Sequence, residues 1–316
     1  MKYHIFYHND ADGFCSAAIV KKHLTERGSN QDLVEGKQKV SEEDIVLHKI
    51  AYGDDFPFGD IEEDDFVYMV DFSLQPLKGM VQLRGILADD HFIWIDHHKS
   101  VFEELEDFPE LKKLLGLREV GKAGCELSWE HCFPNKDVPD HVYLFGSYDV
   151  WRKDDEKFWE EYVLPHHYYF ESKNLDPAVF DWGEYLGEEA VEGSVYEIGR
   201  LIKAYQEAQW EREAEKIYEG EFAGVSALIR NSFDKGSNSF EVLERSDDFD
   251  LWVSYHFDGE MWHVGLYSNK EDVECGEIAK RLGNEGPYKS GGGHKGAAGF
   301  QTDWEHLSKY LGLGEE

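Results

Sequence analysis

The chain has 316 residues, of which 66 are acidic and 32 basic, giving a formal net charge of -34. Such acidity argues against tight binding of long nucleic acid, which needs a basic footprint; it does not exclude a short anionic ligand held by metal ions in a local pocket. Most of the surface charge reads as solubility or salt adaptation.

Apolar residues make up 41% and aromatic residues 15%, enough for substantial cores in two domains. The four cysteines, Cys15, Cys125, Cys132 and Cys275, are scattered and form no zinc-type pair. That usage suits a reducing, cytoplasmic setting. Met1-Lys2-Tyr3-His4 leads straight into a strand-like run, so no signal peptide is expected. No apolar stretch reaches the ~18 residues of a membrane span.

In chain order, Tyr3 to Tyr7 reads as the first strand. It runs into His8-Asn9-Asp10-Ala11-Asp12-Gly13, and a helical pattern follows from Phe14 to near Gly28. His8, Asp10 and Asp12 are spaced by two, so an extended segment would point all three to one face, and a tight loop could converge them as well. Carboxylates held that close repel one another and call for a cation. The plainer reading is an Asx-rich turn capping a helix, and on this stretch alone it is preferred. Asp44 to Tyr52 is a second strand candidate, and the acidic run Asp54 to Asp65 reads as loop. Phe66 to Val70 is a buried strand ending in Asp71-Phe72-Ser73, where Asp71 or Ser73 could cap a short helix over Pro76 to Ile86.

Phe92-Ile93-Trp94-Ile95 is the clearest buried strand, and it stops abruptly at Asp96-His97-His98. In open α/β sheets ligands bind at the carboxyl ends of such strands. Three successive strand ends thus deliver His8, Asp10 and Asp12, then Asp71, then Asp96, His97 and His98 to one sheet edge. Independent capping accidents would not gather seven metal-capable groups there, and the functional reading overtakes the plain one. Further on, Val101 to Leu117 reads as helical but broken at Pro109, Ala123 to Phe133 as helical, and Val138 to Trp151 as a helix or strand carrying Asp149. His166-His167 is taken as a structural or surface feature. A long helical run from Tyr185 to Tyr218 has an apolar stripe of Val195, Ile198, Leu201, Ile202, Tyr205 and Ile217, a packing face that also suits a homodimer. Strands are expected at Val225 to Ile229, Leu251 to Tyr255 and Trp262 to Tyr267, with helices at Gly276 to Leu282 and Trp304 to Leu311.

The ordered set His8-x-Asp10-x-Asp12-Gly13, Val70-Asp71-Phe72-Ser73, Asp96-His97-His98 and Tyr148-Asp149 resembles the four motifs of the DHH phosphoesterase superfamily. That group includes RecJ-type exonucleases, nano-RNases, cyclic-dinucleotide phosphodiesterases and family II pyrophosphatases. Gly291-Gly292-Gly293-His294-Lys295 resembles the glycine-rich signature of the associated C-terminal domain. The resemblance implies an α/β fold: a parallel-sheet catalytic domain with flanking helices over 1–183, a helical linker over 184–218, and a smaller mixed α/β domain over 219–316. It also implies a two-metal site, usually Mn²⁺, with Mg²⁺ or Co²⁺ as alternatives. One ion would be held by His8, Asp10 and Asp71, the other by Asp12, Asp71, His97 and Asp149, with Asp71 bridging. Oxygen ligands with a few imidazoles suit such ions. His98 would face the phosphoryl oxygens as a donor, and Asp96 would buttress the site.

In the second half, Gly291, Gly292, Gly293, His294 and Lys295 are expected to contact substrate through backbone amides and donor side chains. Many relatives carry an Arg-Ser pair that grips phosphate, whereas Tyr267-Ser268 stands in the corresponding place. Tyr267 is suited to stacking on a base instead. Asn284 to Ser290 looks like an insertion ahead of the glycines. The expected activity is hydrolysis of short oligonucleotides or nucleotide phosphoesters. The alternatives are RecJ-like exonuclease action, cyclic-dinucleotide hydrolysis, or a catalytically silent nucleotide-binding subunit. Silent members typically lose ligands, and here every motif carboxylate and imidazole is present.

Overall fold

Four short apolar runs pair in parallel as β1 (Tyr3–His8), β2 (Ile45–Ile50), β3 (Phe66–Val70) and β4 (Phe92–Ile95), in the order β2-β1-β3-β4. Both faces of this sheet are covered, as expected of continuous apolar runs. Ile5, Tyr7, Tyr68, Val70, Ile93 and Ile95 enter one core, while Phe6, Val67, Met69, Phe92 and Trp94 enter the other. The split follows the two-residue period of a strand.

The structure is a computed structural model and describes residues 1–26, 39–187, 189–233, 236–293 and 295–313. It divides into two units, Met1–Lys203 and Ala204–Glu316. Helix α1 (Ala11–Glu26) packs its buried face on the first core, and the expected helix end near Gly28 lies outside the described residues. Helices α2 (Lys78–Ile86), α3 (Lys99–Glu104), α4 (Gly124–Cys132), α5 (Asp140–Asp149), α6 (Leu164–Glu171) and α7 (Gly193–Ala214) follow.

Several elements differ from the sequence reading. The second strand stops at Ile50, and Ala51 to Asp54 form a tight turn closed by Asp54 N–H donating to Ala51 O at 3.2 Å. The segment 101–117 breaks around Pro109 as expected, but beyond α3 it makes only 3-10 turns instead of helix, and Leu115 and Arg118 then bridge to Ile93 and Asp96. That covers the otherwise open edge of β4, which outweighs local helical propensity. The long helix is confined to Gly193–Ala214 and crosses the division between the units. Of its expected apolar stripe, Val195 is buried, but Ile198, Leu201 and Tyr205 are exposed. The helix approaches α6 instead at Gly199, where a Cβ would meet Pro165 O. His166 is buried, with Nε2 3.0 Å from His141 Nδ1.

The second unit is built on a six-stranded mixed sheet, β5 (Tyr218–Phe222), β6 (Val225–Asn231), β7 (Leu251–Phe257), β8 (Trp262–Tyr267), β9 (Gly292–Gly293) and β10 (Ala297–Thr302), in the order β5-β6-β7-β8-β10-β9. Helices α8 (Cys275–Glu285) and α9 (Trp304–Tyr310) close its core. Among the described residues, no helix is long and apolar enough to cross a membrane.

Candidate metal centre

From β1 the chain passes to β2 on one side and then to β3 on the other, so the strand order reverses at β1. Loops leave the neighbouring carboxyl ends of β1 and β3 in opposite directions and open a crevice between them, the place where ligands bind in open α/β sheets. His8 ends β1, Asp71 follows β3, and Asp96-His97-His98 follow β4. Asp71 takes a left-handed backbone at φ +52°, a conformation Asp tolerates better than most residues.

Two overlapping groups form. His8, Asp10 and Asp71 bring one ligand atom each within 4.8 Å of one another, and so do Asp12, His97 and Asp149. Asp71 belongs to the first group and touches the second: its Oδ1 lies 3.1 Å from His97 Nε2. His97 Nε2 is also 3.6 Å from Asp12 Oδ2 and 3.4 Å from Asp149 Oδ2. His8 Nδ1 sits 2.5 Å from Asp10 Oδ2 and 4.0 Å from Asp71 Oδ2.

The turn after β1 is not extended, because Ala11 already begins α1. Asp10 serves both readings of the sequence. Its Oδ1 accepts from Gly13 N–H at 2.9 Å, as a helix cap does, while Oδ2 faces His8. Asp71 caps nothing, since α2 starts only at Lys78. Asp12 is buried in the first turn of α1, and its two oxygens accept from Gly124 N–H and Cys125 N–H, each at 2.7 Å. These are the first amides of α4, a favourable seat for a carboxylate.

Asp96 is fully buried and works through one oxygen. Its Oδ1 accepts from His97 N–H at 2.7 Å, His98 N–H at 3.1 Å and His98 Nδ1 at 2.8 Å. It therefore fixes the loop and the ring of His98, leaving Nε2 of His98 for another partner. A third group, Asp71, His97 and His98, also brings its ligand atoms within 4.8 Å.

The electrostatics ask for a cation. Burial holds the Asp71 carboxyl well above its usual range, and the nearby charges of Asp12, Asp10, Asp149 and Asp96 push it the same way. Burial, then Asp12 and Asp10, push Asp149 up to about 8. Burial lowers His97. Burial also disfavours the charged form of His98, but its bond to Asp96 and the surrounding carboxylates outweigh this and raise it. Asp71 Oδ2, buried at the heart of the cluster, has no hydrogen-bond partner. Buried polar atoms are seldom left that way without a ligand to take them up. Mixed carboxylate and imidazole donors fit Mn²⁺ or Mg²⁺.

Sequence reasoning did not single out Gly124, Glu126, Arg152 or Tyr52. A Cβ at Gly124 would stand 2.7 Å from Asp71 Cβ and 3.0 Å from Asp12 Oδ2. Glu126 caps α4 through Ala123 N–H at 3.0 Å and pairs with Arg152 at 3.0 Å, linking α4 to the end of α5 where Asp149 sits. Tyr52 packs its ring on Phe72 and His8. The available signal was an aromatic residue at a strand's carboxyl end followed by Gly53-Asp54.

In the second unit, a cleft of about 400 Å³ is lined by Ser254, His256, His263, Tyr267, Gly291 and Gly292, among others. Tyr267 accepts a hydrogen bond from Gly236 N–H at 3.0 Å. Gly292 and Gly293 are not a free turn: they form β9 and pair with β10. Gly291, at φ +156°, has a packing reason of its own, since a Cβ there would lie 2.3 Å from Ala279 O in α8. Lys295 places its ammonium 3.4 Å from Glu274, and its carbonyl accepts from Cys275 N–H at 2.8 Å. His294 lies outside the described residues.

Comparison with solved structures gives a DHH domain described as belonging to a member of a family of ribosomal proteins. It matches at a TM-score of 0.56 and 14% identity, over 99% of this chain and 86% of that one. The fold is that of DHH-domain proteins. RecJ in complex with Mn²⁺ from Thermus thermophilus is similar at a TM-score of 0.49 and 12% identity, over 100% of this chain and 52% of that chain. Among curated proteins, an uncharacterized protein of Acanthamoeba polyphaga mimivirus is 25% identical over 315 residues, covering 94% of this chain. The chain spans 66% of the length of that relative. No family model matches.

Proposed function

We propose that the chain is a metal-dependent phosphoesterase that hydrolyses the phosphodiester bonds of short oligonucleotides or nucleotide phosphoesters. The observation that carries this reading is the shared carboxylate. Asp71 lies between the His8 and Asp10 side chains on one hand and the Asp12, His97 and Asp149 side chains on the other. That is the donor arrangement needed for a pair of divalent ions.

When bound, such ions supply Lewis acidity, neutralising charge on phosphoryl oxygens and making water a nucleophile near neutral pH. The chain's own residues do the rest. Asp12 is held rigidly by the amides of α4, so its position is set before any ligand arrives. Asp96 holds His98 by Nδ1, which leaves Nε2 to meet a phosphoryl or leaving-group oxygen, as a donor when the ring is protonated. The fold, the motif resemblance and the completeness of the ligand set all support an active phosphoesterase over a silent binding subunit. The surface acidity supports short substrates over long ones.

The test is a Mn²⁺ time course on a dinucleotide, a pentanucleotide RNA, a long single-stranded DNA, a cyclic dinucleotide and pAp. Cleavage concentrated on the short substrates is expected. Efficient degradation of the long DNA would overturn the size preference, and turnover of none of the five with Mn²⁺ bound would overturn the activity.

A further inference from the structure

Tyr52 occupies a place that the chemistry above leaves unused. It stands in the turn Ala51 to Asp54, directly after β2, whose last residue pairs with His8. The turn is pinned twice: Asp54 N–H donates to Ala51 O, and Ala51 N–H donates to Asp54 Oδ2 at 2.8 Å. Gly53 takes the positive φ of +100° that this kind of turn needs at its third position. Tyr52 is thereby presented at a fixed point on the rim of the metal centre.

Its ring lies 4.9 Å from that of Phe72 and 5.5 Å from that of His8, and stands edge-on to His98 at 6.3 Å. Packed that way, an aromatic residue would ordinarily be buried, yet Tyr52 remains 47% exposed. A large, rigid ring thus stays about half exposed beside the imidazole assigned to the phosphoryl group. Nothing in the metal chemistry requires an aromatic there.

We infer that Tyr52 is the stacking platform for a nucleobase next to the phosphate held at the metal centre. This rests on the phosphoesterase reading and narrows it: the substrate carries a flat base within one sugar of the scissile phosphate, and inorganic polyphosphate is a poor fit. A base binds an aromatic face whatever its sequence, and short substrates need such a contact because they make few others.

The experiment crosses a change in the protein with a change in the substrate. Wild type, Tyr52→Leu and Tyr52→Phe are assayed in Mn²⁺ on a dinucleotide and on the same compound with one base removed. For wild type, kcat/KM should favour the intact dinucleotide. In Tyr52→Leu that preference should fall about tenfold, mostly through KM, as expected for loss of one base–aromatic stack. Tyr52→Phe, which keeps the ring, should restore it. Calorimetric binding of a nucleoside monophosphate in Mg²⁺ gives a readout independent of turnover, and Tyr52→Leu should weaken it by a similar factor. If Tyr52→Leu loses activity equally on both substrates, or binds the monophosphate as wild type does, the platform is refuted while the phosphoesterase reading stands. If wild type hydrolyses neither substrate, the parent reading fails and the platform with it.

Discussion

Gly124→Ala gives the sharpest test of the metal centre, because local and tertiary effects predict opposite signs. Gly124 opens α4, and Ala is the better residue in a helix by up to about 1 kcal/mol. At an open position the same change should help: Gly85 in α2 has nothing within 4 Å of an added Cβ, and Gly85→Ala should stabilise by about 0.4–1 kcal/mol. At Gly124 the new methyl would lie 2.7 Å from Asp71 Cβ, 3.0 Å from Asp12 Oδ2 and 3.1 Å from Asp71 Cγ.

Carbon atoms settle near ~3.5 Å or beyond, so Asp71 or the start of α4 must move by about 0.8 Å. Overpacking of this kind costs about 1–3 kcal/mol, which outweighs the gain in propensity and leaves a net loss of about 1 kcal/mol. The larger effect falls on function. Both carboxylates touched are ligand candidates, and a displacement of about 1 Å can cost about a hundredfold in rate. Calorimetric titration with Mn²⁺ should show weakened binding, and kcat on a dinucleotide should drop by one to two orders of magnitude. Urea unfolding in EDTA should show only the small stability loss. Mn²⁺ affinity and kcat within twofold of wild type would refute the claim that Gly124 is small in order to seat Asp71 and Asp12.

Two further outcomes are expected. Asp71→Asn should abolish turnover and weaken divalent-cation binding by more than the roughly 10–100-fold typical of residues that only orient ligands. It should at the same time raise the melting temperature of the metal-free protein near pH 8, by about 2–4 °C for each kcal/mol of charge repulsion relieved; retained turnover would sink the shared-ligand assignment. Acid should unfold the protein through its buried and half-buried histidines. Burial lowers His48, His141 and His167 to about 4, so between pH 6.5 and 4 the unfolded chain binds protons that the folded one does not. In metal-free Asp71→Asn/Asp149→Asn protein, which removes the two raised site carboxylates from the balance, the urea midpoint should fall as pH drops through that window; a flat or rising midpoint would contradict the desolvation of these rings.

The strands of the first sheet and the candidate ligand residues were legible in the sequence because both are local patterns. An apolar run of four or five residues closing on Asp71 or on Asp96-His97-His98 already says that a buried strand ends in metal-capable chemistry. The break at Pro109 was legible as well, but the course of the chain after it was not, for a reason outside the segment: the open edge of β4 recruits Leu115 and Arg118, a demand its own periodicity does not display. The same holds for the apolar stripe on α7. Sequence spacing locates one face of a helix, but which face meets a neighbour is decided by where another chain segment can approach, here at Gly199.

By itself, then, the sequence determined which residues are metal-capable and that several strand ends bring them to one edge, since residue type and period depend only on neighbours along the chain. The tertiary structure alone decided how they are held. Asp12 is seated on the amides of α4 across more than a hundred residues of sequence, Gly124 is small because Asp71 and Asp12 press on it, and Tyr52 is placed beside His98 by a turn on a different strand. Those relations join residues remote in sequence, and only the packing of β1, β3 and β4 against α1, α4 and α5 brings them within bonding distance.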